Sequence, residues 1–346
     1  LIFLLVALLA SGFIYDYGYD GIRYHQDSIS RLHDGWNPVY DSQIDARLWV
    51  KHYAKGIEII AASIFSTTGF VDAGKAVNLM LVFASLFFTY RFISIYFEFL
   101  SPRKRWWLAF IFTFSTVVTN QLFSYYVDWS CYSLVLIFVV TFLCLLKKES
   151  FSDLAILGTC LYLAVCIKFN IFFWLGLTAF VASVYLLIER RYKLFKKLFF
   201  VLIIGAVVGV FVSSFNPYVT NTINHGSPIY PFLDDRIVDM DANIPPALKD
   251  TNRFEAFFIS IFSFPNTGVE DIADNYALPQ NLTLEHIHNS GKVDTLLGGY
   301  GLFFCWILLG SIILYFSVFN ANKRNRKYFN ALLILLFLSA FLLPLS

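Results

Sequence analysis

Long blocks of apolar residues recur along this chain of 346 residues and limit what it can fold into. Hydrophobic residues make up 58% of the sequence and charged residues only 14%, whereas roughly a quarter of an average soluble protein is charged. Many of the blocks reach about 20 residues, the helix length that crosses the hydrocarbon core of a bilayer. The chain is therefore predicted to be an all-α polytopic membrane protein.

The apolar blocks predict about nine transmembrane helices in a single domain covering residues 1–346. The first block, residues 1–15, lacks the basic start and the cleavage signal of a signal peptide. Because the chain begins inside this block without a methionine, we expect a fragment whose first span is partly missing. The other predicted spans are residues 76–98, 106–125, 130–146, 153–169, 171–188, 198–215, 299–319 and 329–345.

The charges between the blocks predict how the chain is oriented. Every second connection is short and basic, as in "SPRKRWW" and "IERRYKLFKK", and such connections remain in the cytoplasm together with the N-terminus. The long connections 15–75 and 216–298 then lie outside, and the outer side holds all six histidines and 20 of 24 carboxylates. The four remaining carboxylates are Glu98, Glu149, Asp153 and Glu189. A transporter usually places its polar groups within the spans, so the concentration of carboxylates on the outer side does not favour one.

The first outer loop is predicted to carry two amphipathic helices that lie along the membrane surface. Apolar positions in residues 22–36 recur at spacings of three and four, and Gly35 is typical of a helix end. A second helix is predicted over residues 49–64, with Lys55 and Glu58 on its polar side.

This order of elements resembles the GT-C superfamily of membrane glycosyltransferases, which use polyprenyl-phosphate sugars. Residues 20–24, "DGIRY", resemble the D-E-x-x-[HYF] pattern of protein O-mannosyltransferases and aminoarabinose transferases. The aspartate and the aromatic residue match, whereas Gly21 stands where the family has a second acid. A set of bacterial GT-C-type proteins shares further short motifs, here "YH" at 24–25, "GWNP" at 35–38, "YYVD" at 125–128, "NP" at 216–217 and "PIYP" at 228–231.

The resemblance implies a GT-C fold in a bacterial inner membrane, with the active site on the outer face. The expected partners are a polyprenyl-phosphate sugar donor, a lipid-type or glycan-type acceptor of the cell envelope, and the lipid bilayer. Asp20 matches the family's acidic position. These implications are expectations about this chain.

Glycosyl transfer with inversion needs a carboxylate that takes the acceptor's proton, and a leaving phosphate needs cations or hydrogen-bond donors. The candidate catalytic residues are Asp20, Asp16 and Asp128. Asp20 also suits a helix N-cap, Asp16 a solvated position at the membrane boundary, and Asp128 a polar turn. Those structural interpretations remain open beside the functional ones.

The candidate substrate-binding residues are Arg23, Tyr24, His25, Lys168, Asn170, Asn216, His225 and Tyr230. Lys168 stands in a tight turn, where it can offset a donor phosphate or extend its ammonium group towards water from a helix end. His25 lies on the apolar stripe of its helix, where a histidine is often simply packed. The loop that contains Asn216, His225 and Tyr230 combines types that fix a loop and bind sugars.

Other sites and functions have weaker support in the sequence. The aspartates at 234, 235, 239 and 241 offer oxygen ligands, but acids on a loop are usually solvated, so neither a metal nor a cofactor is expected. The basic residues are explained by topology, so no nucleic acid is expected as a partner. The alternatives are an O-antigen polymerase or ligase, a lipid or polysaccharide transporter, and a scaffold without catalysis.

Overall fold

The computed structural model describes most of the first two thirds of the chain. The described residues are 1–41, 44–231, 251–262, 264–265, 276–277, 284, 306 and 308–312. The chain divides into two compact units, Leu1–Asp234 and Asp235–Ser346. The predicted span 329–345 and most of the predicted span 299–319 lie outside the described residues.

The first unit is built of helices. They are α1 (Ile2–Phe13), α2 (Gln26–His33), α3 (Leu48–His52), α4 (Gly56–Thr68), α5 (Ala76–Tyr96), α6 (Pro102–Thr113), α7 (Thr116–Gln121), α8 (Asp128–Lys147), α9 (Phe151–Ile167), α10 (Phe169–Ile188), α11 (Tyr192–Val208) and α12 (Phe215–His225). A π-helical turn at Gly21–His25 leads into α2, and another at Gly209–Ser213 extends α11. A 3₁₀ turn at Val71–Lys75 precedes α5.

The second unit contains α13 (Arg253–Phe262) and a short antiparallel pair of strands. In this pair, β1 (Phe264–Pro265) is bonded to β2 (Tyr276–Ala277).

Within the described residues, four helical segments are long and apolar enough to cross a membrane. They are Val71–Tyr96, Asp128–Lys147, Phe169–Ile188 and Tyr192–Ser213. Three shorter apolar helices, α1, α4 and α9, accompany them. The helical fold and a bilayer environment agree with the sequence, whereas the figure of about nine spans stays a prediction.

The stretch 106–125 is not the continuous span that its composition predicts. Helix α6 ends at Thr113, and Phe114 leaves the helical conformation with φ −90° and ψ 66°. The side chain of Ser115 then accepts a hydrogen bond from the N–H of Val118 and so caps the start of α7. An N-cap serine inside an apolar run begins a new helix because it satisfies an N–H that would otherwise be unpaired.

The first amphipathic helix of the outer loop ends as predicted. Gly35 has a φ of 94°, and the N–H of Trp36 donates to the carbonyl of Arg31 at 2.9 Å. A glycine in the left-handed conformation lets the chain turn back over the last helical carbonyls.

The second amphipathic helix is broken, and the prediction for its polar side is wrong. Helix α3 ends at His52, Tyr53 is extended, and α4 begins only at Gly56. The break turns α4 independently of α3, so Lys55 and Glu58 face inward, with 2% and 4% of their surfaces exposed.

Charged residues of the predicted inner connections meet at one end of the helices. Arg91 of α5 forms two hydrogen bonds to Asp153 of α9, at 2.5 and 2.8 Å. Arg191, which precedes α11, contacts Glu149 at 3.2 Å and donates to the carbonyl of Leu146 at 3.1 Å.

Helix α9 packs closely on α11 because glycines stand where the two backbones meet. A Cβ added at Gly205 would lie 2.3 Å from the carbonyl oxygen of Gly158, closer than real Cβ contacts allow. Small residues permit such close approach between helices in membranes. A Cβ added at Gly176 of α10 would meet nothing within 4 Å among the described residues.

We expect Gly205→Ala to destabilise the protein by about 1–3 kcal/mol, because the added methyl group forces α9 and α11 apart. The matched control, Gly176→Ala, should be neutral or slightly stabilising, since alanine favours helix more than glycine does. Thermal unfolding of both variants in the same detergent measures the difference. Equal melting temperatures would contradict the close packing of α9 on α11.

Candidate functional site

Asp16 is a buried anchor between the first loop and the turn before α8. Its carboxylate accepts hydrogen bonds from the N–H of Gly18 at 2.8 Å and of Tyr125 at 2.6 Å. Only 5% of the residue is exposed, and burial raises the pKa of Asp16 although both N–H groups oppose the shift. The interpretation of Asp16 as a solvated boundary residue is therefore wrong.

The same anchor extends to the start of α5. The N–H of Asp16 donates to the carboxylate of Asp72 at 3.1 Å, and Asp72 pairs with Lys75 at 2.7 Å. Lys75 also donates to the carbonyl of Ile14. A buried ion pair with several hydrogen bonds thus joins the end of α1 to the 3₁₀ turn.

The carboxylate of Asp16 occupies the space beside Gly21. A Cβ added at Gly21 would lie 2.0 Å from Oδ2 of Asp16, so any larger residue at position 21 would displace that carboxylate. This contact gives a physical reason for the glycine at position 21.

Asp20 lies at the start of the π-helical turn and is partly exposed. The hydroxyl of Tyr24 donates to its Oδ2 at 3.3 Å, and its own N–H points to the hydroxyl of Tyr126 at 3.5 Å. Within the described residues, the Asp20 side chain makes no capping hydrogen bond to that turn, and its backbone is already helical. The structure thus gives no support to the N-cap interpretation.

Asp128 and Lys168 form an ion pair between two turns. Lys168 Nζ lies 3.3 Å from Oδ1 of Asp128, and Gln121 Nε2 donates to Oδ2 at 3.3 Å. The Asp128 side chain is half exposed, and that of Lys168 is 21% exposed. Burial alone would lower the pKa of Lys168, but the Asp128 carboxylate more than offsets it and the pKa is raised. The ammonium group therefore stays charged.

Tyr24 and Tyr53 both interact with Asp20 and with Asp128. The rings of Tyr24 and Tyr53 are in edge contact, with centroids 5.5 Å apart. Burial raises the pKa of both hydroxyls, and the charges of Asp20 and Asp128 raise both further, while Lys168 lowers that of Tyr53. We call Asp20, Tyr24, Tyr53, Asp128 and Lys168 the acid–lysine cluster.

A buried pair lies beside this cluster. His25 Nδ1 is 2.7 Å from Oε1 of Glu58, and both side chains are almost fully buried. Lys55 donates to the carbonyl of Tyr53. Burial lowers the pKa of Lys55 to about 8, although Glu58 opposes the shift. The prediction placed Lys55 and Glu58 on the polar side of a helix because the sequence pattern does not show the break after His52.

A second group joins α3 to α12 and the turn that follows it. His52 Nδ1 lies 2.8 Å from Oδ1 of Asn221, whose Nδ2 donates to the carbonyl of Tyr230 at 2.9 Å. The rings of His225 and Tyr230 stack with centroids 3.8 Å apart, and His52 meets both edge-on. We call His52, Asn221, His225 and Tyr230 the histidine–tyrosine cluster. Sequence reasoning missed His52 and Asn221, which carry no motif of their own.

The remaining candidates lie outside both clusters. Arg23 is exposed and lies over the ring of Tyr19, 5.0 Å from its centroid. Asn170 is partly buried in the first turn of α10. Asn216 is buried and its Nδ2 donates to Thr220 at 3.1 Å, which is a local structural contact.

The described residues contain no group of three or more His, Cys, Asp or Glu that could hold a metal. The aspartates at 234, 235, 239 and 241 lie outside the described residues. The acid–lysine cluster combines a partly exposed carboxylate with a permanently charged ammonium group, so it can accept a proton and bind an anion side by side.

The contact between His52 and Asn221 should weaken in acid. Burial lowers the pKa of His52 from 6.5 to about 4, and nearby positive charges contribute. Between these values the unfolded segment binds the proton more readily than the docked one, so docking is fully stable above pH 6.5 and weakens as the pH falls towards 4.

Hydrogen exchange of residues 221–231, corrected for its intrinsic pH dependence, measures this effect. Between pH 7 and 4.5 we expect protection to fall about tenfold in the wild type. It should fall much less in His52→Asn, whose amide nitrogen takes the place of Nδ1 and donates to Asn221 without titrating. Equal losses would show that His52 is not responsible.

No family model, curated protein or solved structure matches this chain. The case for a function is therefore made from the geometry and chemistry of the described residues.

Proposed function

We propose that the protein is a GT-C-type membrane glycosyltransferase that moves a sugar from a polyprenyl-phosphate donor to a cell-envelope acceptor. The observation that carries this proposal is the acid–lysine cluster, in which Asp20 and the Asp128–Lys168 ion pair both act on the same two tyrosines, Tyr24 and Tyr53. The resemblance of the sequence to GT-C proteins supports the proposal, and so do the apolar helices, which suit a donor dissolved in lipid.

Asp20 is the proposed general base. Asp20 is partly exposed and its Oδ2 accepts a hydrogen bond from the Tyr24 hydroxyl at 3.3 Å. An ionised carboxylate has about four lone-pair sites, so it can also accept a substrate hydroxyl. The acceptor's O–H bond breaks and its proton goes to Asp20, while the oxygen forms a bond to the anomeric carbon. The bond from that carbon to the phosphate oxygen breaks, and its electron pair leaves with the phosphate.

Lys168 is the proposed partner of the donor's phosphate. Its ammonium group remains charged and lies 3.3 Å from Asp128, which holds it in place together with Gln121. A fixed cation stabilises negative charge that develops on a leaving oxygen. Asp128 is therefore assigned a positioning role, and so is the buried Asp16.

The histidine–tyrosine cluster is the proposed contact for the acceptor. His225 is exposed and stacked on Tyr230, and His52 beside them is uncharged at neutral pH. Uncharged aromatic rings with a few polar atoms suit a sugar or a lipid headgroup. The proposed setting is a bacterial inner membrane, with the N-terminus in the cytoplasm and both clusters on the outer face.

Asp20→Asn should reduce the turnover number about 10²- to 10⁴-fold, because the amide cannot take a proton. The measurement is transfer from polyprenyl phosphates that carry a radiolabelled hexose or pentose, with protein in nanodiscs and bacterial envelope lipids as acceptors. The matched control is Asp27→Asn, which removes a carboxylate that pairs with Arg31 on the same segment. Full activity in Asp20→Asn would show that Asp20 is not the general base.

Lys168→Met should raise KM for the donor about 10- to 100-fold, because a charged hydrogen bond to phosphate is lost. Lys197→Met provides the control, since Lys197 pairs with Glu149 among the predicted inner connections. Donor titrations in the same assay give both values. An unchanged KM in Lys168→Met would exclude Lys168 from the phosphate site.

A further inference from the structure

Glu58 determines which nitrogen of the His25 imidazole carries a proton. Nδ1 lies 2.7 Å from the carboxylate oxygen, and the two side chains are 3% and 6% exposed. An ionised carboxylate only accepts hydrogen bonds, so Nδ1 must carry the proton. In the neutral ring, Nε2 then has no proton and presents a lone pair.

That lone pair has no partner in the protein. Nε2 of His25 is buried, and no group among the described residues bonds to it. A buried acceptor without a donor carries a desolvation penalty, which makes such atoms rare unless a ligand or a water satisfies them.

The His25 ring lies beside the acid–lysine cluster. It packs on Tyr24 with centroids 4.2 Å apart, and Tyr24 is bonded to Asp20. It also stacks with the ring of Tyr125, with centroids 6.4 Å apart. His25 and Asp128 interact electrostatically. The imidazole that carries Nε2 is therefore in direct contact with one member of the cluster.

We propose that Nε2 of His25 accepts a hydrogen bond from a hydroxyl group of the donor's sugar. This inference rests on the proposed function and adds a residue that determines specificity. The carboxylate of Glu58 bonds to the imidazole and the charge of Asp128 interacts with it, so a phosphate is repelled from this position, whereas a neutral hydroxyl can donate. Lys168 thus binds the donor's phosphate through its ammonium group, and His25 binds the donor's sugar through its imidazole.

Tyr24 links the imidazole to the proposed base. Its ring packs on the imidazole and its hydroxyl donates to Asp20 at 3.3 Å. In the proposed complex an acceptor hydroxyl takes over the Asp20 carboxylate and releases this hydrogen bond, and the Tyr24 ring then makes room for the sugar.

The test compares three lipids in nanodiscs that contain the full chain: farnesol, farnesyl phosphate, and farnesyl phosphate linked to glucose, galactose, mannose or arabinose. Dissociation constants are measured for the wild type and His25→Asn, whose amide can keep the bond to Glu58 but lacks an atom at Nε2. At least one sugar-bearing lipid should bind more tightly than bare farnesyl phosphate. His25→Asn should weaken that binding about 5- to 100-fold and leave the binding of farnesyl phosphate unchanged.

His33→Asn is the control, because His33 Nδ1 also makes one side-chain bond, to Ser66 at 2.9 Å. The inference is overturned if His25→Asn still binds the sugar-bearing lipid more tightly than farnesyl phosphate, or if the wild type shows no such preference. Nε2 then binds only a water. If farnesyl phosphate binds no better than farnesol, the proposed function fails as well.

A measurement on the unmutated protein complements the variant. Nitrogen-15 NMR of histidine-labelled protein at pH 8 should show His25 with a protonated Nδ1 and an unprotonated Nε2. The opposite tautomer would overturn the inference even where His25→Asn fails to fold.

Discussion

The buried carboxylate of Asp16 holds together the segments that carry Asp20 and Asp128. It accepts two backbone N–H groups from different segments, and the N–H of Asp16 reaches the Asp72–Lys75 pair. Hydrogen bonds to a charged group contribute about 1.5–3 kcal/mol each. Asp20 follows Asp16 by four residues, and Tyr125 precedes Asp128 by three residues, so this anchor constrains where the two proposed functional carboxylates lie.

Local signals in the sequence were read correctly where one residue type decides the backbone. Gly35 ends its helix as predicted, and the apolar blocks identify the four long helices. The pairing of Asp128 with Lys168 was not predictable, because 40 residues separate them and the contact depends on how α8 and α9 pack. The same limit explains Asp16, whose partners Asp72 and Tyr125 are distant in the chain.

The errors arose where helices break inside a continuous hydrophobic pattern. A helix over residues 49–64 would place Lys55 and Glu58 in water, but the break after His52 buries them beside His25. Hydrophobic periodicity indicates which residues share a face of one helix, but it does not show how one helix is rotated relative to the next. The Glu58–His25 pair, and with it the unpartnered Nε2, became visible only in the structure.

The proposed function requires the acid–lysine cluster to receive a lipid-linked phosphate. Photo-crosslinking with a diazirine-bearing farnesyl phosphate, followed by peptide mass spectrometry, tests this most directly. We expect labelling of the segments around Asp20, Tyr53, Asp128 and Lys168, suppressed by excess unlabelled farnesyl phosphate and not by farnesol. Labelling confined to the basic connections around Arg103 and Arg191, or equal suppression by farnesol, would contradict it.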